Sequence, residues 1–432
     1  MKKILFASTA LVAAGMMTAG AASAAEKIKL NMSGFSKWWV VGAWQDQDFQ
    51  EQAGLGAGSY RQNLDVKGFN LITFDGSTAL DNGLKVGVRF DLVAGGHSDN
   101  VTDVIDNSYA WVEGGFGKVL AGMHNNGTAL LHVQAPDAAG NFTSGGVMLG
   151  NWAITRPGGV MGMNQRVGYT TSSNTTQIIS DDKAEKLTYV APSFYGLTLG
   201  ASYIPNAVRN SATAAGSLGQ HGRGNGNDRL EAWGGGALYS NTFGPVGVKA
   251  SAGYVWVDLK AVANKAENAF TQQAYGAQLS YAGFTLGGSV QRASDDRRNG
   301  GNSSAALSGA SQVGNATSGN TKANVYELDF GGTAYDVGLQ YASGPYAVSF
   351  AYFHSSVIGI TNNTIRNNKD DTIDAYQASG KYNLGPGVDV LASIGYIEYK
   401  DQRDGLAGVT ANQNKAYSNS GWTAMTGLSL SF

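Results

Sequence analysis

The stretch Trp422-Thr423-Ala424-Met425-Thr426-Gly427-Leu428-Ser429-Leu430-Ser431-Phe432, at the end of the chain, decides the fold. Apolar side chains fall at Trp422, Ala424, Leu428, Leu430 and Phe432, with small or polar groups at most positions between. Successive strand side chains point to opposite faces, so such a strand is greasy on one face and wet on the other. A terminal strand of this kind needs a partner on its free edge. The same alternation recurs back towards the N-terminus. Val248, Ala250, Ala252, Tyr254 and Trp256 share a face, as do Tyr335, Val337, Leu339 and Tyr341, then Tyr346, Val348, Phe350 and Tyr352. This predicts an all-β chain closed into a transmembrane antiparallel barrel, with lipid outside and water inside.

Tight turns rich in Gly, Pro and Asn separate the alternating runs, because these residues supply the dihedrals a hairpin needs. They fall at Leu80–Gly83, Gly114–Gly117, Pro192–Gly196, Phe243–Pro245, Ala282–Gly283, Ser343–Pro345 and Leu384–Gly387. Two strands per turn, an opening strand near Ile28–Val41 and the closing strand make sixteen, an even count that suits an up-and-down barrel. The connections at the other end are long and polar: Gln45–Gln62, Gly95–Val104, Asn125–Lys183, Asn206–Asp228, Leu259–Phe270, Ala293–Lys322, Ile358–Asp371 and Lys400–Asn419. In a compact soluble domain so many would count against the strands. In a barrel they are extracellular loops.

Met1–Ala24 reads as an export signal: Lys2 and Lys3, an apolar stretch Ile4–Met17, and the cleavage site Ala22-Ser23-Ala24. The mature chain is expected to begin at Ala25 and to form one barrel domain, 25–432. No later segment reaches the roughly 20 consecutive apolar residues of a membrane helix. Charged residues are only 14% of the chain, where about 25% is usual for soluble domains. There is no cysteine, so disulfides and thiol chemistry are excluded. The net charge of -2 is too small to imply a nucleic-acid partner.

Three segments carry a family resemblance. They are Leu80-Asp81-Asn82-Gly83-Leu84-Lys85-Val86-Gly87, Tyr109-Ala110-Trp111-Val112-Glu113-Gly114-Gly115-Phe116-Gly117-Lys118, and Leu187-Thr188-Tyr189-Val190-Ala191-Pro192-Ser193-Phe194-Tyr195-Gly196. In this order the chain resembles the Gram-negative general porins, especially those typical of alphaproteobacteria, over its whole mature length. The resemblance implies an outer-membrane location beside lipid and lipopolysaccharide, a homotrimer, and passive diffusion of small hydrophilic solutes and ions. It also implies that Phe432 is an assembly signal and that the third loop folds into the pore. That loop is Asn125–Lys183, and Leu130, Leu131, Val133, Phe142, Ile154, Val160 and Met163 among others make it apolar enough to pack against something. Insertion is the preferred reading; an outward lid over the rim or a neighbouring subunit is the alternative. The loop departs from the family's acidic Pro-Glu-Phe-like cluster, since Pro136-Asp137 offers one acid and Asp181-Asp182 lie at its far end.

Alternation assigns the wall. Lys29, Asn31, Ser33 and Lys37 face the lumen in the first strand, and Lys85, Arg89 and Asp91 in the strand Leu84–Leu92. Tyr109 and Trp111 read as outward, which turns Asp106 and Ser108 inward. Lys186, Lys249, Gln278, Gln291, Asp336, Gln340 and Lys381 fall on the polar parity. A charge on the lipid face costs about 2–4 kcal/mol at the midplane, so the parity is enforced. One β-bulge inverts everything downstream of it. The pore-lining and constriction candidates are therefore Lys37, Lys85, Arg89, Asp91, Asp106, Asp137 and Lys186, unless the bases are neutralised by Asp91, Asp106 or lipopolysaccharide phosphates.

Other chemistry is not legible. The five histidines show no zinc spacing. No G-x-S-x-G elbow occurs, and Gly222–Asn227 lacks the strand-to-helix setting of a phosphate cradle. No cofactor or metal is expected, and no enzyme. The alternatives to a general diffusion channel are a sugar- or anion-selective channel of the same architecture, a barrel enzyme, and a soluble secreted β-protein.

Overall fold

Each alternating run folds as a strand, and each of the seven tight turns joins an antiparallel pair. The computed structural model describes residues 27–50, 62–95, 104–142, 153–157, 160, 162–163, 175–179, 181, 183–205, 229–260, 268–295, 332–358, 370–402 and 417–432. The expected export signal, Met1–Ala24, and most of the long connections lie outside these residues. The strands are β1 (Lys29–Gln45), β2 (Leu64–Ala79), β3 (Lys85–Val93), β4 (Val104–Gly114), β5 (Gly117–Met123), β6 (Glu185–Val190), β7 (Leu197–Ile204) and β8 (Arg229–Phe243). They continue as β9 (Val246–Lys260), β10 (Asn268–Tyr281), β11 (Phe284–Asp295), β12 (Gly332–Ser343), β13 (Tyr346–Ile358), β14 (Asp370–Gly385), β15 (Val388–Lys400) and β16 (Ser418–Ser431). Two single-turn helices, α1 (Gln47–Gln50) and α2 (Gly127–Leu130), sit at the loop end.

Every strand pairs with its sequence neighbours, and β16 pairs with β1 from Phe35 opposite Ser431 to Gln45 opposite Gly421. Phe432 completes the seam: its N–H donates to the Gly34 carbonyl at 3.1 Å, and Gly34 N–H donates to the Phe432 carbonyl at 2.9 Å. The result is a closed sixteen-stranded antiparallel barrel. Two of the hairpins are closed by Tyr195-Gly196 and Ala282-Gly283, with φ of 49° and 88°, and 49° and 87°. Positive φ at both central residues is what a type I′ turn needs to follow strand twist.

Directly opposed residues share a face, so the registers fix what points out. Trp38, Val40 and Trp44 of β1 stand opposite Leu428, Thr426 and Trp422 of β16, and the large apolar members of this row are exposed. Two aromatic rows bracket the outer surface. At the turn end Phe284 packs on Tyr341 (4.5 Å) and Tyr346 on Tyr382 (4.9 Å). At the loop end Tyr352 stacks on Tyr376 (4.6 Å) and Tyr396 meets Trp422 (5.1 Å). Aliphatic side chains such as Val337, Leu339, Val348 and Ile394 fill the exposed band between. This is the girdle-and-band pattern of a membrane barrel.

One strand departs from the sequence-based parity. In β4, Asn107 opposes Asp91 while Ile105 opposes Leu92, so Asp106 is an extra residue, a β-bulge. Beyond the bulge the faces swap. Tyr109 opposes lumen-facing Arg89, and Trp111 opposes Gly87. Tyr109 and Trp111 therefore point inward, and Ser108, Ala110 and Val112 outward, the reverse of the expectation. Asp106 keeps access to the lumen only because the bulge gives both it and Asn107 a hydrogen bond there, Asn107 Nδ2 reaching Asp106 Oδ2 at 3.2 Å and Asp91 Oδ2 at 2.6 Å. The absence of cysteine makes the test clean. A Trp111→Cys variant should react with a water-soluble, membrane-impermeant thiol reagent in the folded barrel, and Val112→Cys should not; the opposite pattern would restore the unbulged parity.

Candidate functional site in the barrel lumen

The third loop enters the lumen. It leaves β5 through α2, whose N-cap Asn126 accepts from the N–H groups of Thr128 and Ala129 at 2.9 Å each. From there the chain runs as a belt around the inner wall, held by side chains one strand after another. Gly127 N–H donates to Ser202 Oγ on β7 (2.8 Å), Val133 N–H to Ser251 Oγ on β9 (2.9 Å), and Ala135 N–H to Asp336 Oδ1 on β12 (2.9 Å). Ala138 N–H donates to Ser349 Oγ on β13 (2.9 Å), and Asn141 Nδ2 to Ser393 Oγ on β15 (3.1 Å). Asp137, a constriction candidate, accepts from the N–H groups of Ala139 (3.2 Å) and Phe142 (2.8 Å). It shapes a turn of the loop itself.

Glycines on the inner wall seat this belt. A Cβ on Gly276 would strike the Val133 carbonyl, and one on Gly236 would lie 2.9 Å from Thr128 Cα. Above the belt the described parts of the returning loop pack against one side of the wall. Phe142, Ile154, Val160, Met163 and Ile178 pack with Ile204, Val255, Val257, Phe353, Ile373, Ile397 and Tyr399 of the wall as one buried core. At β16 and β1 the loop closes its circuit: Thr155 N–H donates to Gln45 Oε1 (3.0 Å), and Asn419 Nδ2 donates to the Thr155 carbonyl (2.6 Å).

The neck of the loop is stapled by charge. Lys186 on β6 pairs with Asp181 at 3.3 Å, both side chains fully buried, and donates to the carbonyls of His124 and Ala184. Asn126 Nδ2 donates to Asp181 Oδ1 at 2.5 Å and to the Ile178 carbonyl at 2.9 Å, tying the loop's start to its end. Lys186 thus anchors the loop and does not line the pore. The His124 ring lies 5.2 Å from that of Tyr109, tilted 53°; burial, with Lys186 beside it, pushes its pKa down to about 3. Burial pushes His132 down to about 4, its Nε2 lying 3.1 Å from Thr176 Oγ1. Both are neutral groups packed inside the barrel.

The charged sector of the bore lies on β1–β5. Arg89 Nε pairs with Asp91 at 3.0 and 3.2 Å, and Asp91 also accepts from Thr73 Oγ1 (2.7 Å). Lys183, at the loop's end, pairs with Asp106 (3.3 Å), and Lys118 with Glu113 (3.7 Å) while lying 4.0 Å over the Trp111 ring. The bases Arg89, Lys118 and Lys183 are therefore compensated locally. Lys37 and Lys85 keep their lumen positions, and among the described residues neither makes an ion pair within 4 Å. Lys37 sits under the loop at Gly140 and in the field of Asp137, Asp389 and Lys381. Sequence reasoning missed the wall serines, the seating glycines and the staple. The lumen-facing Ser251, Ser349 and Ser393 were visible as small polar groups on the wet parity, yet nothing local marks a serine as the partner of a distant loop.

Two consequences can be measured. Gly276→Val should unseat the belt and raise single-channel conductance; an unchanged conductance would mean the loop is held elsewhere. Asp181→Ala removes the buried carboxylate 3.3 Å from Lys186 and should cost about 3–5 kcal/mol, read as a lower unfolding temperature of the detergent-folded protein.

A family model described as Gram-negative porin matches residues 7–402. No curated protein sequence matches the chain. Among solved structures, the anion-selective porin from Comamonas acidovorans is similar at 17% identity and a TM-score of 0.55, covering 94% of this chain and 100% of that one. The outer membrane channel DcaP of Acinetobacter baumannii is similar at 15% identity and a TM-score of 0.55, covering 94% and 97%. OmpT of Vibrio cholerae, an outer-membrane protein, is similar at 12% identity and a TM-score of 0.51, covering 94% and 98%. At such identities the structures speak for the fold alone, a barrel. With the family model matching most of its length, the chain belongs to the Gram-negative porins, outer-membrane channels for passive diffusion.

Proposed function

We propose that this chain, exported under Met1–Ala24 and cleaved before Ala25, forms a water-filled channel for small hydrophilic solutes and ions whose bore favours anions. It works as a channel and not as an enzyme. The carrying observation is the charge left over in the turn-end half of the lumen. Among the described residues Lys29, Lys37, Lys85, Arg89, Lys118, Lys249 and Lys381 face it, against Asp75, Asp91, Glu113, Asp389 and, beside Lys37, the loop's Asp137. Selectivity in such a pore follows its diameter and the sign of its lining charge. Lys37, Lys85 and Arg89 are the residues assigned to that role, with Asp91 and Asp106 setting how much of the positive field survives. The solved anion-selective porin with the same barrel is consistent with this reading.

In the membrane the chain acts as a trimer. Phe432 serves as the assembly signal at the open end of the last strand. Lipopolysaccharide is the natural neighbour of the outward polar groups above the loop-end aromatic row. There His354 Nδ1 lies 2.8 Å from Asp374 Oδ1, and Lys400 lies 2.9 Å from Glu398.

Reversal potentials in planar bilayers under asymmetric KCl test the proposal. The expected sign is that of anion preference. Arg89→Glu and Lys37→Glu should each move it towards cations, the first also uncovering Asp91. A cation-preferring wild type, or variants with unaltered reversal potentials, would reject the assignment, and a sealed bilayer would reject the channel. Liposome swelling that saturates with one sugar would favour the solute-selective alternative over general diffusion.

A further inference from the structure

An apolar shelf interrupts the polar wall of the bore. Phe35 on β1 stands directly opposite Leu71 on β2, and Leu71 directly opposite Val93 on β3, so the three share the lumen face of adjacent strands. Phe69 joins them, its ring 5.4 Å from that of Phe35 and tilted 49°. All four are half-buried. Phe69 rests with one side on the cluster of Trp39, Val41, Ala139, Leu391 and Met425 that the third loop covers. Apolar surface held in contact with water is unfavourable, and a contiguous patch of it is informative.

A cation sits on the same shelf. Lys37 Nζ lies 4.9 Å from the centre of the Phe35 ring, and among the described residues it has no ion partner. Arg89, the next base along the wall, is already engaged by Asp91. The polar groups nearest in register are Ser431 and Ser429 on β16, directly opposite Phe35 and Lys37, with Ser33 and Thr73 one step along the same face, and Thr73 spends its hydroxyl proton on Asp91. The shelf therefore offers an apolar face of two tilted rings with one positive charge, not ion-paired among the described residues, at its edge.

We propose that Phe35, Phe69, Leu71 and Val93, with Lys37, form a stacking subsite for aromatic carboxylates inside the bore. The ring lies against Phe35 and Phe69 in an offset or tilted arrangement. The ammonium of Lys37 leaves the face of Phe35 for the carboxylate, exchanging a cation–π contact for a charge-assisted hydrogen bond. The subsite rests on the channel reading and deepens it: an anion-favouring bore would retain anions with a flat apolar face longer than compact ones.

Benzoate is the probe, with acetate and benzyl alcohol as controls. Single-channel current in KCl should show benzoate-dependent interruptions at concentrations where acetate and benzyl alcohol give none. Phe35→Ala and Lys37→Gln should each weaken the benzoate effect, Phe35→Ala by about fivefold. Phe35→Leu keeps an apolar side chain but removes the ring and should weaken it too, so a folding defect in the alanine variant would not hide the answer. Equal interruption by acetate and benzoate, or benzoate interruption that survives Phe35→Leu and Lys37→Gln unchanged, would overturn the subsite. A wild type that carries no current would overturn the channel reading instead. In that event saturation-transfer NMR of benzoate on the detergent-folded barrel, compared between wild type and Phe35→Leu, decides the subsite by itself.

Discussion

Ring closure is the constraint on which the rest of the structure depends. In hydrocarbon no water is present to satisfy a free N–H or C=O, so a sheet survives there only if its last strand meets its first. The seam between β1 and β16 does this, ending in the reciprocal bonds of Gly34 and Phe432. Closure also relaxes the demands on each strand. Glycine inside a strand ordinarily weakens it, having no side chain to pack and more freedom to lose. Here both edges of every strand are held, and the chain carries 61 glycines. Some of these then do what no larger residue could: Gly236 and Gly276 let another backbone lie directly on the wall.

The inserted loop turns part of the lumen into something like the interior of a soluble domain. Along β7–β15 the inward positions near the loop end carry Ile204, Ala232, Val255, Val257, Ala334, Phe353, Ile373 and Ile397, all buried against the loop. Their parity is the wet one, yet they are apolar, because the loop and not water meets them there. The strands β1–β5 keep charges on that same parity. The wall is thus divided by what lies opposite it, and the water-bearing sector falls to the side the loop core leaves uncovered. Belt hydrogen bonds to serines on successive strands fix the height of the loop. The buried pair of Asp181 and Lys186 fixes its neck, where a charge without its partner would be costly.

How much of this was legible in the sequence follows from range. The strands, turns and outward rows were readable because alternation is local and because lipid penalises a misplaced charge. Insertion of the third loop was readable from the family resemblance together with its apolar content, which by itself showed only that the loop must pack against something. The faces of Tyr109 and Trp111 were not, since a single extra residue at Asp106 reverses the parity and no local signal marks it. Lys186 read as a pore residue because it does sit on the lumen parity; what removes it from the water is Asp181, five residues earlier across the loop's return. Parity states which way a side chain points, not what fills the space in front of it.

The same distinction bears on the lining charges. A paired cation and anion a few ångströms apart leave only a dipole, whose field falls off faster with distance than that of a lone charge. Counterions shorten the reach of any charge to a Debye length of about 8 Å at physiological salt. An ion crossing the bore therefore feels Arg89 with Asp91, or Lys118 with Glu113, chiefly on contact. In the proposed reading Lys37 and Lys85, which make no ion pair within 4 Å among the described residues, reach further, Lys37 tempered by the more distant Asp137 and Asp389. Two lysines without partners can outweigh a larger number of compensated bases, which is why the sign of the bore follows from where the ion pairs are and not from the chain's net charge of -2.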